Sequence, residues 1–427
     1  MALKTEFRAS VLNHPWSSIF SLPGGKSTNQ GRLITLLILL CGQVTPLLPP
    51  TKPRARDLGV EFEGAPGPLN AITDVAGVEV GHRTLISGSG ALHVGDGPVR
   101  TGMTAILPRG KSAIADPVFA GWFAQNGNGE MTGTTWVEES GFLEGPVMIT
   151  NTHSVGVVRD AVIAWQVKHN AKFQPWSTPV VAETYDGYLN DTDGFHVKPE
   201  DAWTSLDAAR SGAVPEGNVG GGTGMICFGY KGGIGTASRR LRGEQGGYTV
   251  GVLVQCNTGA RQQLRVGGEL VGPELAAAAP KIAGIAPGAG AGETERGSII
   301  IVIGTDAPLL PHQLKRMARR ATMGLARNGA ISSNGSGDIF IAFSTANAGA
   351  AGARAGTSNQ GRTANVEMVR NDSISPLFEA TVQATEEAII NALIAAEDMR
   401  GVDDHFVPAL PHDALREVLR THGRLGK

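Results

Sequence analysis

Short apolar runs separated by turn residues dominate the chain from residue 77 onward. Runs rich in β-branched residues and bounded by Gly, Asn or Asp are typical of strands, and runs without polar alternation indicate strands buried on both faces. The pattern therefore predicts a protein built largely of buried strands. The predicted strands are Gly77–Val80, Val147–Thr150, Val180–Ala182, Tyr248–Val254, Ser298–Ile303 and Ile339–Phe343.

Two segments in the C-terminal third have helical periodicity instead. The first begins near Pro311 and ends at Asn328-Gly329, a usual left-handed stop. The second begins at Ser375-Pro376, which predicts Ser as the N-cap and Pro at the first helical position. With strands in the middle and helices late, we expect one α+β domain in which helices cover the sheets. The apolar stripes consist of Leu314, Met317, Ala318, Ala321 and Leu325 in the first helix, and of Phe378, Val382, Thr385, Ile389 and Leu393 in the second.

The first 53 residues differ from the rest and predict a leader followed by a linker. Lys26 and Arg32 precede the apolar run Leu33–Leu40, which has signal-peptide rather than membrane-spanning length. The Pro-rich stretch Pro46–Pro53 is typical of a linker. We expect export to the periplasm or the medium, with a membrane tether, a misassigned start, a buried helix or a cytoplasmic protein as alternatives. A single catalytic domain would then cover residues 54–427.

Composition excludes several classes of function. The formal charge is −2 and there is no basic block, so nucleic-acid binding is set aside. Three cysteines match no zinc spacing, and the ten histidines include no HExxH helix, so a metalloenzyme is not expected. Cys227 and Cys256 lie in apolar runs and are expected to be buried free thiols, with a disulfide as the alternative.

The junction Gly297-Ser298 joins a segment without large apolar residues to a predicted buried strand. Residues 286–297 contain nothing apolar larger than Ala or Pro and cannot bury enough surface to order themselves. A serine hydroxyl is a weak nucleophile until a base takes its proton. If the bond before Ser298 were cut, the new α-amine, with an unperturbed pKa of about 7.7 to 8.0, could be that base. Gly297 permits a strained conformation in which the hydroxyl attacks its carbonyl.

A Gly-Ser pair is a weak signal by itself, since Gly88-Ser89 and Gly335-Ser336 also occur and such pairs are usually turns. The setting distinguishes Ser298. A second polar cluster, Ser336-Gly337-Asp338, also precedes a predicted strand.

Six motifs in order resemble the L-aminopeptidase/D-esterase and β-peptidyl aminopeptidase family. The resemblance extends from about residue 54 to the C-terminus. It implies a four-layer αββα sandwich similar to the N-terminal-nucleophile hydrolases but of different connectivity, no metal and no organic cofactor, and homo-oligomers of cleaved chains. The motifs are Arg56–Gly59, Pro66–Val78, Glu183–Gly187, Gly217–Gly224, Gln255–Asn257, and Gly297-Ser298 through Asp306–Leu309.

The resemblance also implies roles for individual residues. Cleavage between Gly297 and Ser298 would leave an α chain, 54–297, and a β chain, 298–427, with Ser298 as the nucleophile. Ser336 and Asp338 match the pair that orients the nucleophile and handles its protons, although some members carry Glu in place of Asp338.

Three more residues match family positions around the substrate. Asn257 matches the oxyanion-hole residue, whose side-chain amide stabilises developing negative charge. Tyr185 matches a tyrosine near the scissile carbonyl, and Glu183 matches a carboxylate that binds the substrate's free α-ammonium. Because strand residues two apart share a face, Glu183 and Tyr185 are expected side by side.

For three further candidates we favour structural roles over functional ones. The run Gly220–Gly224 lacks the Lys-Ser/Thr of a phosphate loop and indicates close backbone packing. Glu138 and Glu139, taken as neighbours on a strand, would face opposite sides and serve solvated or structural roles. His153 is expected to be a hydrogen-bonded histidine rather than part of the site.

The leading hypothesis is a self-processing serine aminopeptidase that acts through an acyl-enzyme on Ser298. Its partners would be short peptides, amides or esters, with β-peptides and D-residue derivatives as further candidates. One alternative is an acyltransferase like the ornithine acetyltransferases, which have threonine where this chain has Ser298. The other is a non-enzymatic binding protein that retains the fold.

Overall fold

The computed structural model describes residues 52–278, 297–352 and 362–425, all within one compact unit that spans 51–427. The predictions for the leader and for residues 286–296 lie outside the described residues. The strands are β1 Glu79–Ser87, β2 Val99–Leu107, β3 Val118–Ala124, β4 Phe142–Leu143, β5 Val147–Asn151, β6 Val180–Thr184, β7 Ile226–Cys227, β8 Tyr230–Lys231, β9 Gly233–Arg240, β10 Thr249–Asn257, β11 Arg265–Val266, β12 Glu269–Leu270, β13 Ser298–Thr305, β14 Asp338–Ser344, β15 Met399–Arg400 and β16 Phe406–Val407. The α-helices are α1 Thr134–Ser140, α2 Val155–Lys168, α3 Pro199–Asp207, α4 Gly272–Ala278, α5 Pro311–Arg327, α6 Ser375–Ile394 and α7 His412–Thr421.

Two sheets form the centre of the molecule. Sheet A has the order β1-β2-β5-β6, and sheet B has the order β4-β3-β14-β13-β10-β9. Neighbouring strands are antiparallel except β5 with β6 and β13 with β14. Parallel neighbours need a crossover connection, and α2 and α5 supply it for the two pairs.

The cores between these elements define four layers. Ile106 and Ile149 of sheet A pack with Ile300 and Val302 of sheet B in the core between the sheets. The outer face of sheet A packs on α2 and α3, and the outer face of sheet B packs on α5 and α6. Strands with a core on each face need apolar residues at every position, which explains the absence of polar alternation in β10 and β13. The predicted αββα sandwich is confirmed.

The two predicted helices are present, with one difference at a terminus. The whole predicted stripe of α5 is buried. In α6 the N-cap is Ile374 and Ser375 is already helical, so Ser375 does not have the capping role predicted for it. Helix α6 is buried nearly all round because it packs against both sheet B and α5, whereas Phe378 stays half-buried under the Arg320 guanidinium.

The prediction that helices come late in the chain is wrong. Helices α1, α2 and α3 precede residue 210. Val155, Val158 and Val162 are β-branched and buried on α2, so their composition resembles a strand although their spacing fits a helix. Glu138 and Glu139 also lie on a helix, α1, where Glu138 pairs with Lys315 at 2.6 Å.

The prediction of two free thiols is also wrong, since Cys227 and Cys256 form a disulfide with Cα atoms 5.6 Å apart. The short hairpin of β7 and β8 leads directly into β9. Strand β9 pairs with β10 so that Gly233 lies opposite Cys256. The hairpin thus brings Cys227 back to Cys256, an arrangement that the spacing of 29 residues does not reveal.

In the part of the chain that the structure describes, no helix has both the length and the hydropathy to cross a membrane.

Candidate active site

The proposed nucleophile lies at the start of a strand in the middle of sheet B. Ser298 is the first residue of β13 and pairs directly with Asn257, the last residue of β10. Directly opposed residues of antiparallel strands project from the same side of the sheet. Ser298 shares its face with Ile300, which packs between the sheets. The serine and the amide therefore lie together at one end of the inter-sheet layer.

A backbone group that sequence reasoning missed contacts the nucleophile. The N–H of Gly337 donates a hydrogen bond to Ser298 Oγ at 3.0 Å. Parallel pairing of β13 with β14, in which Ile299 lies beside Asp338, brings this loop to Ser298. The sequence shows the motif Ser336-Gly337-Asp338. It does not show the hydrogen bond to Ser298, because the donor is a backbone N–H that any residue would supply.

Ser336 and Asp338 form a buried pair on either side of Gly337. The Ser336 hydroxyl donates to Asp338 Oδ1 at 2.7 Å, and both residues have no exposed surface. Asp338 shares its strand face with Phe340, which packs against the helices covering sheet B. The pair therefore flanks Gly337, whose N–H contacts Ser298, and Asp338 faces the helix-covered side of sheet B.

The Asn257 side chain is fixed at both ends of its amide. Its Oδ1 accepts from the N–H of Ile226 at 2.8 Å, and its Nδ2 donates to the carbonyl of Tyr185 at 3.0 Å. These partners define which end is the carbonyl and which is the amine. Since an amide nitrogen carries two hydrogens, the bond to Tyr185 uses only one of them. The Cys227–Cys256 disulfide links the residues next to Ile226 and Asn257.

The backbone carbonyl of Tyr185 accepts the hydrogen bond from Asn257, and the Tyr185 side chain projects toward solvent. Strand β6 ends at Thr184, so the strand alternation expected to align Tyr185 with Glu183 does not reach it. The Tyr185 side chain is 54% exposed, whereas Glu183 is buried. Partial burial, with the nearby Asp186 and Asp193 charges, raises the pKa of Tyr185.

Glu183 accepts hydrogen bonds from two donors and lies near Gly337, in the loop that contacts Ser298. Its Oε1 accepts from the N–H of Glu130 at 2.9 Å, and its Oε2 accepts from the hydroxyl of Thr152. Burial raises the pKa of Glu183 in spite of these bonds. A Cβ placed on Gly129 would lie 3.2 Å from Glu183 Oε1 and 3.1 Å from Gly337 Cα. The backbone of one glycine thus separates the carboxylate from the loop that contacts Ser298.

Two buried ionisable residues near the site were not anticipated. Asp186 has 1% of its surface exposed, and it accepts bonds from Asn151 and Asn190, both at 3.1 Å. Burial raises its pKa to about 6. Lys231 is fully buried and donates to the carbonyls of Met225 at 2.7 Å and Gly232 at 2.8 Å, and burial lowers its pKa.

Two of the three candidates assigned structural roles, Gly220–Gly224 and His153, have contacts that fit those roles. Close backbone packing is confirmed for Gly220–Gly224, because any side chain on Gly221 would overlap Gln255 Oε1. His153 Nδ1 lies 3.1 Å from Asp193 Oδ1, and its ring stacks on Phe195. Among the described residues, no group of three His, Cys, Asp or Glu side chains could hold a metal ion.

A strand-initial serine that faces a doubly anchored amide, on a four-layer αββα fold, is the arrangement of a serine hydrolase. The chain belongs to Peptidase family S58, which matches residues 70–407. The chain is therefore a serine aminopeptidase. Its membership of Peptidase family S58 favours the peptidase hypothesis over the acyltransferase and the binding-protein hypotheses.

Individual relatives and solved structures agree with the family. Beta-peptidyl aminopeptidase BapA of Sphingosinicella microcystinivorans is 57% identical over 385 residues, which are 87% of this chain and 93% of that protein. A beta-aminopeptidase of a Burkholderia species has a TM-score of 0.79 and 48% identity, with 87% of this chain and 99% of that chain covered. The L-aminopeptidase D-Ala-esterase/amidase of Ochrobactrum anthropi, described as a prototype serine aminopeptidase with a variant of the Ntn hydrolase fold, has a TM-score of 0.79 and 47% identity over 88% of this chain and 100% of its own.

Proposed function

We propose that the chain cuts its own bond between Gly297 and Ser298, and that the freed Ser298 then removes N-terminal residues from short substrates. The observation that carries the proposal is the direct pairing of Ser298 with Asn257 at the end of the inter-sheet layer. It places a hydroxyl beside an anchored amide N–H, the two groups that acyl transfer needs.

Self-cleavage would begin with attack of Ser298 Oγ on the Gly297 carbonyl carbon. The C–N bond breaks, the Ser298 nitrogen leaves as an amine and takes the hydroxyl proton, and Gly297 is transferred to Oγ as an ester. Water then hydrolyses the ester. Two chains result, 54–297 and 298–427 once the leader is removed, and the β chain begins with Ser298.

The backbone of Gly297 supports this site of cleavage. Its backbone φ is +145°, an angle that residues other than glycine rarely adopt. A Cβ at this position would overlap the carbonyl oxygen of Asn257. Glycine adopts this φ without the penalty that a Cβ would bring, so it allows the chain to place the Gly297 carbonyl at this junction.

In the mature enzyme the Ser298 α-amine would be the general base for its own hydroxyl. Oγ attacks the substrate carbonyl, the amide nitrogen of Asn257 stabilises the oxyanion, and Ser336 with Asp338 orients the amine. The leaving group takes the proton, and water later releases the acyl group from Oγ. The Tyr185 side chain, exposed beyond β6, would contact the substrate near the scissile bond.

The substrate class follows from Glu183. A buried carboxylate next to the loop that carries Gly337 favours substrates with a free amino group. This preference excludes N-blocked peptides. Peptides, amides and esters all offer the carbonyl that Ser298 attacks. Relatives named for β-peptides and for D-Ala esters support these as candidate substrates.

The test is a denaturing gel with N-terminal sequencing of the smaller band. We expect a β chain that begins Ser298-Ile299-Ile300, together with aminopeptidase activity. Ser298→Ala should give one uncut chain without activity, whereas Ser89→Ala, at the exposed Gly88-Ser89 pair, should be cut normally. Processing of Ser298→Ala at the same bond would exclude the intramolecular mechanism.

We also propose that cleaved units assemble into a homo-oligomer. The family resemblance, which implies homo-oligomers of cleaved chains, supports this. Light scattering of the purified enzyme would test it, and a mass equal to one cleaved unit would contradict it.

Export remains the proposed localisation. Disulfides persist in oxidising compartments, so the Cys227–Cys256 bond supports export together with the apolar run Leu33–Leu40. N-terminal sequencing of the α chain from a periplasmic fraction would test this. A protein confined to the cytosolic fraction with its N-terminus intact would contradict it.

A further inference from the structure

A short segment of the α chain connects the two halves of the candidate site. Residues 125–130, here called the strap, follow β3 and run alongside the loop 332–338 of the β chain. The N–H of Gln125 donates to the carbonyl of Asp338 at 2.9 Å, and the N–H of Asn128 donates to the carbonyl of Ser336 at 3.2 Å. The strap thus continues the pairing of β3 with β14 beyond the end of the regular ladder.

Asn126 makes the most side-chain contacts within the strap. Its Oδ1 accepts from the N–H of Asp338 at 2.7 Å, while its Nδ2 donates to the carbonyls of Ser332 at 3.1 Å and Ser333 at 2.9 Å. One side chain therefore joins both ends of the loop that carries Ser336 and Gly337. Asn128 makes one comparable side-chain bond, to Gly335 at 3.0 Å, and is exposed.

The far end of the strap reaches the carboxylate assigned to the substrate amine. The N–H of Glu130 donates to Glu183 Oε1 at 2.9 Å, and the backbone of Gly129 lies between Glu183 and Gly337, where a Cβ would be 3.2 Å from Glu183 Oε1 and 3.1 Å from Gly337 Cα. The strap therefore contacts Glu183 only through its backbone, while β6 and Thr152 also hold Glu183, so a change in the Asn126 side chain leaves Glu183 in place.

We propose that Asn126 is a positioning residue for the serine aminopeptidase reaction. It holds the loop 332–338 so that the Gly337 N–H meets Ser298 Oγ and Asp338 stays bonded to Ser336. Asn126 acts through these residues and does not contact the substrate. The inference rests on the proposed function, because it takes Ser298 as the nucleophile.

This role has a particular consequence after self-cleavage. The cut separates the covalent chain next to Ser298, while the strap belongs to the α chain and the loop to the β chain. The three bonds of Asn126 then act between two polypeptides. Loss of Asn126 should therefore lower kcat, with little change in KM, in enzyme that is fully cut.

The experiment compares Asn126→Ala with the neighbouring control Asn128→Ala, using purified, fully processed enzyme and a peptide with a free amino group. A loop shift of about 1 Å can cost on the order of 100-fold in rate, so we expect kcat of Asn126→Ala to fall about 10- to 100-fold. KM should stay within about twofold, and Asn128→Ala, which loses a single bond from an exposed side chain, should lower kcat by less than about threefold. Equal kcat values for the two variants, or a rise in KM alone, would overturn the proposal.

Asn126→Asp provides the second variant if Asn126→Ala does not fold. It keeps the acceptor for the Asp338 N–H, loses both donors, and adds a negative charge that raises the pKa of nearby acids and ammonium groups. We expect kcat to fall, because the new carboxylate repels the Ser332 and Ser333 carbonyl oxygens, and we expect the acidic limb of kcat/KM to move to higher pH. An unchanged kcat and pH profile would refute the positioning role. Failure of the proposed function would instead appear as cutting or activity that survives Ser298→Ala.

Discussion

Asn257 and Ser298 are direct partners across β10 and β13, with the amide of Asn257 anchored to Ile226 and Tyr185 from opposite ends. The anchored amide is in place before any charge develops on the substrate. A donor that needs no reorientation during the reaction contributes more to the transition state than a mobile one.

Substitution of Asn257 should therefore slow turnover far more than it weakens substrate binding. Loss of one oxyanion donor typically lowers kcat by about 10²- to 10³-fold, and we expect this range for Asn257→Ala, with KM changed little. Steady-state kinetics on the processed fraction, with thermal unfolding as the control for folding, measures this. A kcat within about threefold of the unsubstituted enzyme would remove Asn257 from the oxyanion site.

Gly297 should be essential for self-cleavage because of its backbone conformation. Gly297→Ala combines a disfavoured φ of +145° with an overlap between Cβ and the Asn257 carbonyl, so the junction must move away from its present position. We expect processing to slow strongly in a gel time course. Gly335→Ala is the matched control, since a Cβ there meets nothing within 4 Å. Equal processing rates in the two variants would show that the conformation of Gly297 is irrelevant to the cut.

The hydrophobic pattern located the strands at whose ends Ser298, Asn257 and Glu183 lie. The roles assigned to Asn257 and Glu183 came from the family resemblance and not from the pattern. The pattern could not show the contact from Gly337, because it involves a backbone N–H and the parallel pairing of β13 with β14. Helix α2 was missed because its valines resemble a strand, and the disulfide was missed because it depends on the return of a hairpin.

Glu183 should control the affinity for substrates with a free amino group. Glu183→Gln keeps an acceptor for Glu130 or Thr152 but loses the charge, and charged hydrogen bonds contribute about 1.5 to 3 kcal/mol, so we expect KM to rise about 10- to 100-fold. Because burial raises the pKa of Glu183, the unsubstituted enzyme should lose affinity on acidification at a pH above the ordinary glutamate value of 4.5. The variant should lack this dependence.

Self-cleavage provides the control for Glu183, because the reaction involves no substrate ammonium. Glu183→Gln should be processed at nearly the normal rate in the same gel assay. A parallel loss of processing and of hydrolysis would assign Glu183 a role in folding rather than in substrate binding.

Asp186 should make stability depend on pH in the opposite direction to an ion-paired carboxylate. Its pKa is about 6 in the folded protein against an ordinary 3.8, because it is buried. Between these values the folded state keeps a proton that the unfolded chain releases, so the contribution of Asp186 to stability falls as pH rises through this window. The total loss is roughly 3 kcal/mol, at about 1.4 kcal/mol per pKa unit, and is complete above pH 6.

Asp186→Asn removes this titration. It also changes the stability of the folded protein by an amount that does not depend on pH, here called the offset. The offset arises because the new amide presents an NH₂ group to Asn151 or Asn190, each of which donates to Asp186 at present. The measurement is the thermal midpoint of the variant minus that of the unsubstituted enzyme at several pH values. We expect this difference to shift in favour of the variant from pH 4 to about 6.5 and then to stay constant. A difference that is flat over the whole range would show that Asp186 has the same pKa in the folded and the unfolded chain, because the polar contacts around it offset its burial.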